Sequence, residues 1–108
     1  MSQFEDREKA FESMYARDQE MQFKITARRN RLIGQWAAKK MGLTEAEADA
    51  YARDVIRADF EEAGDEDVIR KLLGDLTAAG VEIDEAVIRE TLEHKTVEAR
   101  RHFIEAQG

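Results

Sequence analysis

Apolar residues recur along this chain every three or four positions, and the recurrences are separated by residues that start and stop helices. Ala48, Ala52, Val55, Ile56, Phe60 and Ala63 form one stripe. Val68, Ile69, Leu72, Leu73, Leu76 and Ala79 form a second, and Ile88, Leu92, Thr96, Ala99 and Phe103 a third. Nearer the N-terminus, Met21, Ile25, Leu32, Ile33 and Trp36 make a wider stripe. Each follows the 3.6-residue period and none alternates at period two, so the pattern predicts amphipathic helices and no sheet.

The punctuation agrees. Thr44 with Glu47 is a capping box, in which the hydroxyl takes a backbone N–H three residues on and the carboxylate reaches back. Asp65 stands before another apolar run, with Glu66 and Asp67 placing negative charge on the positive end of the helix dipole. Asp84 opens a third, where Ile83 and Ile88 occupy the positions of a hydrophobic staple. Gly42, Gly64 and Gly80 stand where the preceding helices should stop, as left-handed caps. The spacing therefore predicts helices over about 3–41, 44–63, 65–79 and 84–106. The expected fold is all-α, a small four-helix bundle whose short connections set sequential helices antiparallel or steeply crossed. Gly34 and Gly74 fall inside helices, where glycine costs about 1 kcal/mol relative to alanine. Both are expected to admit a neighbouring helix or a large ring, and Trp36 is expected in the core.

The first helix is unlike the others. Phe4, Phe11, Met14 and Tyr15 would share a side with the later stripe, but Asp18 and Gln22 interrupt it, and burying them would leave polar groups in need of partners. Eight charged residues lie between Glu5 and Asp18. Residues 1–18 are therefore expected to be an arm, flexible or partly helical and loosely attached, and residues 19–108 to be the bundle. An amphipathic segment of this kind becomes ordered when a groove receives its apolar side. The alternative is an ordinary helix end docked on the bundle.

Composition narrows the picture without naming a function. The chain has 108 residues, 43% of them hydrophobic and 38% charged, which suits one domain with a core and is unlike a disordered chain. There is no proline, in keeping with helix throughout, and no cysteine, so neither a disulfide framework nor a thiolate metal site exists. No apolar run approaches membrane-spanning length and no secretory leader is evident, so the expected setting is soluble and cytoplasmic. Residues 1–42 carry nine Lys/Arg against six Asp/Glu, a balance of +3. Residues 43–108 carry eight against eighteen, a balance of −10. The net −7 argues against nucleic acid as a partner, since phosphate binding needs a cationic surface. Lys24, Arg28, Arg29 and Arg31 form the one basic cluster. It is either a docking face for an acidic partner or is paired within the chain's own bundle.

Catalytic readings find little support. Ser2 and Ser13 are the only serines and both lie in the arm, away from a preorganised site. His94 and His102 stand eight residues apart with Glu98 midway, on one helix face, but no fourth metal ligand is evident and a solvated face is the better reading. The acidic run from Asp59 to Asp67 fails as a calcium loop, because Arg70 stands where a bidentate Glu is required. No glycine cluster opens a helix to cradle phosphate. No enzyme activity, metal or cofactor is expected; adenine nucleotide, seated between helices by Lys/Arg and Trp36, is the small molecule left open.

The segment from Phe23-Lys24 to Ala38, with Ala27-Arg28-Arg29-Asn30-Arg31-Leu32-Ile33-Gly34 and Trp36-Ala37-Ala38, resembles the zeta subunit of alphaproteobacterial F-type ATP synthase. Met41-Gly42-Leu43, Tyr51, Ala58-Asp59-Phe60-Glu61-Glu62, Gly64-Asp65-Glu66-Asp67-Val68 and the opening Phe4-Glu5-Asp6-Arg7-Glu8-Lys9-Ala10 extend the likeness. It is tight over residues 20–70, while the last helix matches in length and pattern. The resemblance implies a four-helix regulatory protein that inhibits ATP hydrolysis. Its N-terminal arm becomes helical as it wedges into a catalytic alpha/beta interface beside the gamma shaft, and its bundle acts as an outer anchor. It also implies a monomer when free, a place at the inner membrane held only through the synthase, and adenine-nucleotide binding as a property suggested for the family. On this reading Phe4, Phe11, Met14 and Tyr15 supply apolar contact, and Arg7, Lys9 and Arg17 pair with acidic groups in the cleft. The chain departs from the family pattern within the arm: Met14 replaces a common Lys, Tyr15 a Phe and Arg17 a His. The other expectation from the residues is a helical adaptor or nucleotide-sensing bundle with no inhibitory role.

Overall fold

A computed structural model describes the backbone of residues 3–59 and 64–107, and the side chains of residues 19–59 and 64–105. Four helices follow one another: α1 (Gln3–Lys40), α2 (Glu45–Ala58), α3 (Glu66–Ala78) and α4 (Glu85–Gln107). No strand is present among the described residues. α1 is the spine. It packs most extensively on α2 and α4 and also meets α3, which touches both of its chain neighbours.

The turns form as their residues dictate. Beyond α1, Leu43 N–H bonds to Ala38 O at 3.0 Å and Gly42 N–H to Lys39 O at 3.1 Å. Beyond α3, Val81 N–H reaches Leu76 O at 2.9 Å and Gly80 N–H reaches Thr77 O at 3.0 Å. This paired pattern satisfies carbonyls that the helix leaves open, and it needs a left-handed residue at each glycine, with φ 75° at Gly42 and 82° at Gly80. The capping box at α2 is complete: Glu47 N–H donates to Thr44 Oγ1 at 3.3 Å and Thr44 N–H to Glu47 Oε1 at 2.9 Å. These bonds hold the Glu47 carboxyl below its ordinary value, the bond from the Thr44 backbone first. Ile88 joins the core and Ile83 packs against it, as a staple would place them.

One boundary and one cap differ from the sequence expectation. α2 closes at Ala58 with Asp59 as its cap residue, where a helix to residue 63 was expected. Asp59 is tied to α1 through Asn30 at that point, a long-range contact that local pattern does not contain. Gly64 is left-handed, with φ 95°, but lies within the connection rather than directly after the helix. Phe60 and Ala63, expected on the α2 stripe, lie outside the described residues. Asp65 precedes α3 without a side-chain capping bond. Its carboxylate is taken by Arg29 instead.

The core is built from the stripes. Ile33 and Ala37 of α1, Val55 of α2, Val68, Ile69, Leu72 and Leu76 of α3, and Ile88 and Leu92 of α4 form one buried cluster. Trp36, Met41, Tyr51, Leu73, Val81 and Ile83 pack around it half-buried. Trp36 thus closes the edge of the core rather than filling its centre, with Lys40 Nζ 5.1 Å from its ring. Ala79, expected to be buried, is an exposed cap residue, because α3 has ended. Gly34 sits where α1 and α2 come closest: a Cβ there would fall 2.8 Å from Ala52 Cα. Gly74 faces open space, and so does not mark a close approach.

Candidate functional site

The residues expected to act lie along α1, in the arm and in the basic cluster that follows it. The backbone is helical from Gln3 onward, continuous with the part of α1 that enters the bundle. At roughly 1.5 Å per residue, its 38 residues span about 57 Å, well beyond what the shorter helices can cover. Among the described residues, Gln19 and Glu20 are exposed, Met21 is half-buried, and Ile25 is the first buried side chain. The side chains of Phe4, Arg7, Lys9, Phe11, Met14, Tyr15 and Arg17 lie outside the described residues, as do Ser2 and Ser13.

The basic cluster divides into two. Arg29 is 7% exposed and is taken up inside the chain, so for this residue internal pairing holds and a docking face does not. Its Nε and Nη2 donate to Asn30 Oδ1 at 3.1 and 2.9 Å. Nη1 meets Asp65 Oδ1 at 2.9 Å, while Nη2 lies 3.8 Å from Asp59 Oδ2. Asn30, 1% exposed, completes the set by donating Nδ2 to Asp59 Oδ2 at 3.0 Å. The two aspartates stand at either end of the connection between α2 and α3. Both ends of that loop are thereby fastened to the middle of α1. Lys24 and Arg31 are exposed and Arg28 is half-buried; all three border an open groove with Phe23, Ile56 and Phe103.

Two further polar ties went unread in the sequence. Tyr51 donates its hydroxyl to Asp75 Oδ2 at 2.7 Å, joining α2 to α3, and Lys71 Nζ of α3 reaches the same oxygen at 3.0 Å. Burial, then the bond and charge of Asp75, raise the Tyr51 phenol well above its ordinary value. Arg89 of α4 grips Glu66 at the start of α3 through two bonds of 3.1 and 2.9 Å. That grip holds the Glu66 carboxyl low and the Arg89 guanidinium high, although both are exposed and the pair adds little stability. Tyr51 among the small residues of α2 and the charge complementarity of Glu66 and Arg89 were visible signals. Their pairing was not, since it joins residues more than twenty positions apart.

His94, Glu98 and His102 are exposed on α4, and no group of three or more His, Cys, Asp or Glu among the described residues is placed to hold a metal ion. No helix among the described residues is long and apolar enough to cross a membrane. The arrangement offers a long helix seated on a cross-tied bundle, with a groove bordered by Lys24, Arg28 and Arg31 where that helix enters it.

No curated protein matches the chain. A protein whose structure was determined in solution by NMR shares 46% identity with it, over 80% of this chain and 98% of that one, with a TM-score of 0.71. Residues 1–102 match the family described as ATPase inhibitor subunit zeta. That span takes in the start of α1, the cross-tied bundle and nearly all of α4, so the chain belongs to the ATPase inhibitor subunit zeta family.

Proposed function

We propose that the chain inhibits ATP hydrolysis by an F-type ATP synthase, with residues 1–18 as the inhibitory arm and residues 19–108 as the bundle that carries it. The arm enters a catalytic alpha/beta interface beside the gamma subunit and blocks rotation in the hydrolytic direction. The observation that carries this reading is the family match, which begins at residue 1 and so includes the arm as well as the bundle. A regulatory subunit of this kind needs no active site of its own. It sits at the cytoplasmic face of the membrane only through the enzyme it regulates.

The energetics are those of a segment that gains contacts on binding. Ordering such a segment costs about 2–5 kcal/mol, which burial of Phe4, Phe11, Met14 and Tyr15 must exceed. Pairing of Arg7, Lys9 and Arg17 with carboxylates in the cleft adds charge-assisted bonds. The test is ATP hydrolysis by the cognate synthase titrated with the full chain, a form lacking residues 2–18, Phe11→Ala and Glu93→Ala. Inhibition is expected from the full chain and from Glu93→Ala, to be weakened by Phe11→Ala and lost without the arm. Equal titrations for Phe11→Ala and Glu93→Ala would sink the wedge. No inhibition by the full chain would favour a helical adaptor instead.

A further inference from the structure

Where α1 enters the bundle, Phe23, Ile56 and Phe103 line an open groove of about 290 Å³, and Lys24, Arg28 and Arg31 border it. Phe23 is 58% exposed. The three cations stand four and three residues apart on one helix, so they share a face and repel one another. Arg29, Arg70, Lys71, Arg89 and Lys95 all pair with carboxylates of the chain. Among the described residues, Lys24, Arg28 and Arg31 have no such pair. Arg28 also holds its Nε buried with no acceptor. A buried donor without a partner is a standing cost, and more so on a charged group. Among the described residues no carboxylate offsets this set of charges. A carboxylate arriving from outside would relieve the repulsion.

We propose that this groove is where the bundle meets the synthase, by seating an acidic segment of the enzyme that bears a large apolar side chain. The proposal rests on the inhibitory reading above. Position favours the synthase as the occupant, because Phe23 follows residue 18 by five positions on the same helix. That is roughly 8 Å along the axis, so an enzyme that receives the arm stands beside the groove. Charge favours an acidic segment. On a chain of net charge −7, such a segment is repelled by most of the surface and steered to these three cations, which fixes the bundle's orientation on its partner.

The experiment measures binding of the fluorescently labelled full chain to the cognate synthase, and ATP hydrolysis in the same samples, at low and high salt. Lys24→Glu/Arg31→Glu changes two exposed side chains, and Arg28→Gln removes the orphaned charge. Lys39→Glu/Arg70→Glu is a control with the same change in net charge. Thermal melts of all four proteins verify folding. At low salt both groove variants are expected to need tenfold or more protein for half-saturation, with full inhibition once saturated. At high salt their curves should converge on the wild type, because screening removes the attraction they lack. Half-saturation of folded groove variants at the control's concentration would overturn the proposal. Wild type that binds without inhibiting would sink the inhibitory reading and leave the groove judged by the binding curves. Wild type that does not bind would sink both.

Discussion

Alanine at Gly34 and alanine at Gly74 are the same chemical change at two mid-helix positions, and the structure sets their effects in opposite directions. Helix propensity alone favours both by up to about 1 kcal/mol, because alanine has less backbone freedom to lose. At Gly74 nothing lies within 4 Å of the added methyl, so this gain is realised. At Gly34 the new Cβ would stand 2.8 Å from Ala52 Cα, 3.2 Å from Ala52 Cβ and 3.4 Å from Val55 Cγ2. The nearest atom is backbone of a packed helix, which cannot swing aside as the end of a flexible side chain would. Relief requires α1 and α2 to separate, loosening Ile33, Ala37 and Val55, all fully buried. Overpacking of this kind costs about 1–3 kcal/mol and sometimes more, which exceeds the propensity gain.

The assay is thermal and urea unfolding of the two single variants beside wild type, followed by far-ultraviolet circular dichroism. At about 4–8 °C per kcal/mol for a domain of this size, Gly74→Ala should raise the midpoint by a few degrees. Gly34→Ala should lower it by several degrees or more, with chemical-shift changes centred on Ala52 and Val55. Equal increases in the two midpoints would refute the reasoning. So would a drop for Gly34→Ala with the surroundings of Ala52 unchanged.

Tyr51→Phe should cost about 1 kcal/mol through loss of the hydroxyl bond to Asp75. Since folding raises the Tyr51 phenol, wild type holds that contribution fully below the ordinary tyrosine value of about 10 and loses it as pH rises toward the folded one. Urea midpoints from pH 8 to 11 should therefore fall less steeply for Tyr51→Phe, and parallel slopes would count against the bond. Asp59→Ala leaves Arg29 buried with Asp65 alone and should cost about 1–3 kcal/mol, less than the ~3–5 of a pair broken outright. Replacing the set together, as Arg29→Met/Asn30→Leu/Asp59→Leu, should restore or raise the unfolding midpoint while weakening amide-exchange protection along α1. A triple variant as unstable as Asp59→Ala would show that the polar set stabilises the fold in its own right.

Much of the fold was legible because it is written locally. A capping box needs two residues three apart, and a helix stop needs one glycine after an apolar run, so Thr44, Glu47, Gly42 and Gly80 took their expected places. The buried polar set was not legible in the same way, because it joins Arg29 and Asn30 to aspartates some thirty positions on. Half of the signal was nonetheless present: Arg29 stands four residues after Ile25 and four before Ile33, on the buried side of α1. Leaving it with its three basic neighbours, open between a docking face and internal pairing, set periodicity aside in favour of charge. Asp65 stands at the start of α3 as expected, yet its carboxylate goes to Arg29, since an aspartate before a helix is as good an acceptor for a distant guanidinium as for a local N–H. Gly74 falls off the stripe of Leu72, Leu73 and Leu76, and that offset already placed it toward solvent. Of the basic cluster, composition gave the charges, and only the packing of α4 against α1 brought Phe103 beside them.

The separation of Arg29 from its basic neighbours bears on what the bundle is for. Buried ion networks are poor sources of stability, since the cost of removing charge from water offsets most of the attraction. Their stronger effect is on alignment. Advancing α1 by one residue against α2 and α3 would turn it by roughly 100° and carry the Arg29 charge away from Asp59 and Asp65. The same slip would bring a bulkier residue than Gly34 against Ala52, so two independent penalties oppose it. α1 is therefore held in one register by a charge that has partners in one place and by a glycine that fits in one place. Under the proposed mechanism, a wedge borne on that helix would resist a turning shaft only if the helix does not slide in its mount. A core of interchangeable leucines would give equal stability with less resistance to sliding. The fold thus places its buried polar set on α1, the helix that would carry the proposed wedge, and leaves Lys24 and Arg31 of the same basic cluster exposed.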